Sequence, residues 1–207
     1  MKLRSLLAAT ALLLAGGTQA ATVSLIPSTS SAVAGTQFTV DVVFAGLNSG
    51  QAVGGFDLDV VFDISVLSAA SVTFGSALGL DGVDQFSSSI ISSGRIDFAS
   101  VSLLLPADLK ALQLGAFSIA QLTFDALAPG ATGIQFDALT APGLLFSDDL
   151  GNALTVTVGT EGSVTVTPSA GTVPTPGSLP LILLALGLLP AIRRVRSAAL
   201  RAGLLQT

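Results

Sequence analysis

Two stretches of this 207-residue chain have acidic residues at spacings that could do chemistry. The first is Gly54-Gly-Phe-Asp57-Leu-Asp59-Val-Val-Phe-Asp63. In an extended strand alternate side chains share a face, so Asp57 and Asp59 stand roughly 7 Å apart. Paired carboxylates can perform the acid–base work of a glycosidase or supply oxygens to Ca²⁺. The plainer reading of Asp57, Asp59 and Asp63 is the wetted face of a sandwich strand. The second stretch is Ser147-Asp148-Asp149-Leu150-Gly151-Asn152. Its carboxylate and amide oxygens suit Ca²⁺, but the spacing is not that of an EF-hand. Asp, Gly and Asn are also what a tight hairpin turn requires, and a turn is the better reading. Serines cluster at 87–89 and 92–93, yet the chain has no His to activate them. A Ser–His–acid triad is therefore impossible, and a Ser–Lys pair would need Lys110.

The rest of the composition narrows the chemistry further. With no Cys there is no disulfide, thiol nucleophile or thiolate metal site. The missing His removes the commonest general base and metal ligand. Trp and Tyr, the usual stacking platforms for sugar rings, are also absent. Charge is segregated. All thirteen acids fall between Asp41 and Glu161, where only Arg95 and Lys110 oppose them, a net of −11. Such a domain is unsuited to nucleic acid or anionic lipid. No catalytic, cofactor-binding or metal-ligating set emerges from these residues, and the sequence reads as non-enzymatic.

The elements that position these residues are strands. Phe38, Val40, Val42 and Phe44 alternate with polar residues, as do Phe56, Leu58, Val60 and Phe62. The same period recurs at Ile96 and Phe98, at Ala120, Leu122 and Phe124, at Leu154, Val156 and Val158, and at Val164 and Val166. A period of two with one apolar face predicts half-buried strands. Two sheets packed face to face bury all those faces, so the expected fold is all-β, an antiparallel sandwich or jelly roll over 21–167. A short helix is expected to start near Pro106.

This region resembles the cohesin-like sandwich, a relative of bacterial carbohydrate-binding modules. Val23-Ser-Leu-Ile-Pro and Val33-Ala-Gly-Thr-Gln-Phe-Thr-Val look like its first two strands. The run from Gly54 to Asp63, followed by Val66-Leu67, is similar to the family strand that ends in an Asp-Pro-x-x-Leu turn, with Ile64 in place of Pro. Residues 117–124 look like its later Phe-rich strand. Leu145-Phe-Ser-Asp-Asp-Leu-Gly-Asn-Ala-Leu with Gly162-Ser-Val-Thr-Val looks like a closing hairpin.

The two ends predict an address. Lys2 and Arg4, an apolar run over 6–15 and the small residues around Thr18-Gln19-Ala20 form a secretory signal peptide, cleaved by signal peptidase after Ala20. At the other end a Pro-rich linker and motif (168–178) precede an uncharged apolar run (179–192) and a basic tail (193–207). The run predicts a transmembrane helix. From 177 to 192 it would be about 24 Å long, short against a hydrocarbon core of roughly 30 Å. Arg193, Arg194 and Arg196 favour the cytoplasmic side. Val173, Pro174, Thr175, Pro176 and Gly177, then the helix, then the arginines, resemble the PEP-CTERM sorting signal of bacterial envelope proteins. That family usually has Glu where Thr175 stands, and usually stops sooner after its arginines. The resemblance implies processing by an exosortase-like enzyme and delivery to the cell surface or matrix of a Gram-negative-type bacterium. An uncleaved membrane anchor is the other fate. The expected role is structural or interactive, toward another envelope protein. A module holding exopolysaccharide is the alternative, and an acid–base hydrolase built on Asp57, Asp59 and Asp63 a distant third. Ca²⁺ is the one metal the acidic loops would suit.

Overall fold

In chain order the strands are β1 (Ala21–Pro27), β2 (Ser31–Val33), β3 (Gln37–Ala45), β4 (Val53–Phe62), β5 (Leu67–Phe74), β6 (Gln85–Ser92), β7 (Arg95–Ser102), β8 (Phe117–Ala126), β9 (Gly130–Phe136), β10 (Leu144–Asp148), β11 (Val156–Val158) and β12 (Gly162–Thr167). Helix α1 (Pro106–Leu112) lies between β7 and β8, and a 3₁₀ turn (Ser76–Leu78) between β5 and β6. The computed structural model describes residues 20–137 and 144–170.

These strands form two sheets. One has the order β11-β1-β3-β8-β5. The other has the order β2-β12-β9-β4-β7-β6, with β10 as a seventh strand against β4. The long strand β4 pairs along one edge with β7, and its other edge is shared between β10 and β9. The expected sandwich is present, and it is antiparallel apart from two short parallel pairings, β1 with β11 and β2 with β12.

The alternating residues do what their period requires. Phe38, Val40, Val42 and Phe44 of β3 are buried, as are Phe56, Leu58 and Val60 of β4. Ile96 and Phe98 of β7 and Leu122 and Phe124 of β8 face them and are fully buried. Phenylalanines tie the sheets together. Phe44 of β3 meets Phe146 of β10 at 5.1 Å between ring centroids, and Phe124 of β8 meets Phe62 of β4 at 5.2 Å. Such pairs add about 0.5–1.5 kcal/mol each beyond area burial.

Two expectations change. The stretches expected to close the fold as one hairpin do not pair with each other: β10 adds to β4, whereas β12 pairs with β9 and β2. The strand expected over 154–158 shrinks to the three residues of β11, half-exposed at a sheet edge, because only β1 is beside it. The helix near Pro106 is present. Proline occupies its first turn, where no backbone donor is needed, and Asp108 sits at its positive end. Ala20 is exposed and immediately precedes β1. Residues 1–19, and with them the predicted signal segment, lie outside the described residues. So do Val173, Pro174, Thr175, Pro176, Gly177, the apolar run 179–192, and Arg193, Arg194 and Arg196. Among the described residues no helix is long and apolar enough to cross a membrane.

Candidate functional site

The outer face of the seven-stranded sheet is built from the residues that alternate with its core. Strand register places them in rows. Phe86, Val101 and Gly55 stand side by side, then Ser88, Ala99, Asp57 and Leu145, then Ile90, Asp97 and Asp59, then Ser92, Arg95 and Val61. Phe86, Ile90, Val101 and Leu145 are 66%, 63%, 49% and 54% exposed, values no core residue approaches. The face is therefore apolar at its rim and acidic along its middle. Near Gly55, which lacks a side chain to fill it, a shallow depression of about 400 Å³ lies among Asp57, Val101, Leu145 and Ser147. A second, of about 270 Å³, lies across Val101 beside Phe86, Ser88 and Ala99. The outer face of the other sheet differs. Thr39 and Asp41 of β3 align there with Thr123 and Gln121 of β8, and the Gln121 amide donates to Asp41 at 2.9 Å.

The three candidate carboxylates of β4 separate in the structure. Asp57 remains on the face, and burial, followed by the nearby charges of Asp97 and Asp59, holds its carboxyl above the usual range. Asp59 is not on a wetted surface: it is 1% exposed. Its two oxygens accept from one guanidinium, from Arg95 Nε at 2.8 Å and from Arg95 Nη2. Asp97 stands directly across from Asp59 on β7, and Arg95 Nη1 lies 3.7 Å from Asp137 Oδ2. The Asp137 amide also donates to the Asp59 carbonyl at 2.9 Å. One arginine thus neutralises part of an acidic stripe, and its hydrogen bond to Asp59 holds it more firmly protonated. Asp63 lies past the end of β4 in a turn. Its carboxylate accepts from the Ser65 amide at 2.8 Å and the Ser65 hydroxyl at 2.7 Å, which lower its pKa. The three acids do not form one catalytic face.

The loop after β10 is a turn, as its residue types suggested. Asp148 Oδ1 accepts from the Leu150 amide at 2.9 Å and the Asn152 amide at 2.8 Å. These bonds, those from Asn152 foremost, hold its carboxyl below the usual range. Gly151 takes φ +81°, a conformation glycine adopts without strain. Asp149 pairs with Lys110 of α1 at 2.8 Å. Among the described residues no group of three or more acidic side chains is placed to hold a metal ion. Ser87 donates to the Gln85 amide oxygen at 3.0 Å, and Lys110 pairs with Asp149, so no Ser–Lys pair forms.

Two buried amides hold the end of this face and were not evident in the sequence. Gln113, just past α1, donates to the carbonyls of Val53 (2.8 Å) and Ala77 (3.0 Å) and accepts from the Val53 amide at 2.6 Å. It fastens the start of β4 to the 3₁₀ turn. Gln85, oriented so that every amide atom has a partner, donates to the carbonyls of Gly79 (2.9 Å) and Gly75 (3.1 Å). Its oxygen accepts from Ser87 and Ser100, both at 3.0 Å. The Gln113 partners are remote in sequence, and those of Gln85 come from the turn before β6, from β6 itself and from β7, so no local pattern marks either residue. The exposed apolar rim was equally hidden. Phe86-Ser-Ser-Ser-Ile90 carries an alternating signal, but its apolar side faces outward.

The sandwich and its sheet order point to a family, and comparison with known proteins supplies it. The family model for the cohesin domain matches residues 23–166. The chain belongs to the cohesin family. A type II cohesin domain from the cellulosome of Acetivibrio cellulolyticus superposes with a TM-score of 0.58 at 15% identity, covering 70% of this chain and 95% of that one. The seventh ScaB type I cohesin from Pseudobacteroides cellulosolvens gives 0.57 at 19% identity, over 73% and 95%. A chain of a type I cohesin–dockerin complex from Clostridium thermocellum gives 0.56 at 15%, over 70% and 99%. Identities this low show a shared fold alone. Comparison with curated proteins found no match. Cohesin domains are non-catalytic modules of protein–protein interaction. Membership therefore gives the sandwich an interaction and scaffolding role and agrees with the non-enzymatic reading of the sequence.

Proposed function

We propose that this cohesin domain receives a dockerin-type protein partner on the outer face of its seven-stranded sheet. The observation that carries the reading is the set of exposed apolar side chains, Phe86, Ile90, Val101 and Leu145, around Asp57 and Asp97. Contiguous exposed apolar surface rimmed by polar groups marks interaction sites, and large apolar anchors supply most of the affinity in such contacts. The structure of a cohesin–dockerin complex from Clostridium thermocellum supports the class of partner. The acidic middle of the face favours a partner that brings Lys or Arg to Asp57 and Asp97. Calorimetric titration with dockerin modules encoded in the same genome tests this. The parent binds, and Val101→Glu with Leu145→Glu loses at least about tenfold in affinity. Equal binding by parent and variant would remove the face from the proposal.

The address read from the two ends completes the proposal. Signal peptidase releases the chain after Ala20. The 173–177 motif, the apolar run and the arginines then hold it at the membrane, or deliver it to the surface or matrix through an exosortase-like enzyme. Intact mass of the protein recovered from membrane and surface fractions decides between anchor and release. Full-length chain in the cytosol contradicts both. A second reading, exopolysaccharide binding, has in its favour only the exposed ring of Phe86, which is open to stacking. A glycan array on the purified domain separates that reading from the protein-partner one.

A further inference from the structure

Among the described residues four strands end the two sheet orders and three of these are blunted, while the outer side of β10 is taken up by its own turn, where the Leu154 amide donates to the Phe146 carbonyl at 2.9 Å. Strands β11 and β2 are three residues each, and β5 shifts register against β8 between Ala69 and Ser71. Short strands and bulges of this kind prevent unwanted pairing. Strand β6 has neither device. Its eight residues pair with β7 without a break. Between Asp84 and Arg95 the chain contains no charged residue and no proline, the other common protections of an edge. Strand β6 is also exposed along most of its length, with Phe86, Ile90 and Ile91 open to solvent.

The hydrogen-bond phase of this edge follows from one bond. The Leu103 amide donates to the Asp84 carbonyl at 2.8 Å, just beyond the β6–β7 ladder and in its register. Antiparallel ladders alternate, so Phe86, Ser88 and Ile90 turn their backbone groups toward β7. Ser87, Ser89 and Ile91 turn theirs toward the open side. Open amides and carbonyls in this pattern are satisfied by an extended strand.

We propose that the strand which pairs there is β6 of a second copy of this chain, antiparallel across a two-fold axis at Ser88. In that register Ser87 meets Ser89 of the second copy through backbone hydrogen bonds. Phe86 meets the second copy's Ile90 on the outer face, and the symmetry makes this contact twice. Aromatic–β-branched cross-strand pairs are among the favourable ones, and both side chains are largely exposed in the single chain. No charged residue is paired with its like. Seven residues of paired strand from each copy fall below the roughly 1,200 Å² of stable assemblies, so the association depends on concentration. Crowding at a surface favours it. This inference does not rest on the dockerin-type reading, although Phe86 and Ile90 belong to both surfaces.

The chain has no cysteine, which allows a position-specific test. Opposed residues of a non-hydrogen-bonded antiparallel pair lie about 4.5 Å apart at Cα, within disulfide reach. The full chain carrying Ser88→Cys, held in mild detergent and oxidised with copper phenanthroline, gives a dimer reversed by reductant. Ser65→Cys, in the exposed turn after β4, gives no disulfide-linked dimer under the same treatment. Adding Ile90→Lys to Ser88→Cys lowers the yield at least about tenfold, as an edge lysine should. If Ser88→Cys cross-links no faster than Ser65→Cys, or if Ile90→Lys leaves its yield unchanged, the pairing is wrong.

Discussion

Replacing Arg95 with Met should cost more than any other single change at the acidic stripe. Asp59 is 1% exposed, and both its oxygens are held by the Arg95 guanidinium. The substitution keeps much of the aliphatic stem and removes the charge. It leaves Asp59 buried without its counter-ion, with Asp97 across the ladder and Asp137 beside it. Breaking a buried pair from one side costs about 3–5 kcal/mol. The Arg95 side chain is 33% exposed, so water reaches part of the vacated space and the lower end applies, about 3 kcal/mol. With a urea slope of about 1–3 kcal/mol/M, the unfolding midpoint falls by roughly 1–3 M. Urea denaturation of a fragment spanning 21–170 at pH 7 measures this. Two companions separate charge from shape. Arg95→Lys keeps the charge but not the fork, so it costs less. Asp59→Leu with Arg95→Met removes both charges and recovers most of the loss. A midpoint for Arg95→Met within about 0.3 M of the parent would refute the reasoning, as would a double variant no better than the single one.

Two further predictions concern the strands that carry the face. A Cβ on Gly54 would sit 2.3 Å from the Asp148 carbonyl oxygen, so Gly54→Ala must push β10 away from β4. It costs about 3 kcal/mol, the upper end of overpacking. Gly133→Ala, whose nearest contact would be 3.5 Å, stays within about 0.5 kcal/mol of the parent in the same urea titration. Asp57 and Asp148 respond to pH with opposite signs. The folded pKa of Asp57 is raised above its ordinary 3.8, so its contribution favours the fold at low pH and is lost as pH rises through the folded value. Asp57→Asn therefore melts above the parent at pH 7, and the two converge in acid. The folded pKa of Asp148 is lowered, so its contribution is present above 3.8 and lost as pH falls through the folded value. Asp148→Asn melts below the parent at pH 7, and that gap also closes in acid. Thermal melts across pH 2.5–7, about the carboxylate range, check both directions.

The strands that pack on both sides of the core were readable because burial writes a period of two into the residues. Strands β3, β4, β7, β8 and β12 all carry it, with apolar residues or glycine at their inward positions apart from the buried Ser100 of β7. Strand β5 hides its period behind small residues, Leu-Ser-Ala-Ala-Ser, and β9 behind two glycines. Strand β6 inverts the signal, since its largest apolar residues face outward. The acidic residues of β4 were correctly placed on one side of the strand, but sequence could not say that Asp59 would be buried. That depends on Arg95, which is 36 positions away and reaches Asp59 through the β4–β7 register. The turn at Asp148 was legible because its bonds are local. The Gln113 clip was not, because Val53 and Ala77 are remote in sequence, nor was that of Gln85, which joins the turn before β6 to β6 and β7. The proposed partner face is a surface of exposed apolar side chains, and a pattern that assigns apolar residues to the core passes over such a surface.

The most direct measurement is amide hydrogen exchange on the full chain, alone and saturated with a dockerin module. Protection is predicted to rise in β4, β6, β7 and β10 and to stay unchanged in β1, β3 and β8. Slowed exchange confined to the five-stranded sheet, or none in either sheet at saturation, would contradict a partner-binding face built on Val101, Leu145 and the Asp57–Asp97 stripe.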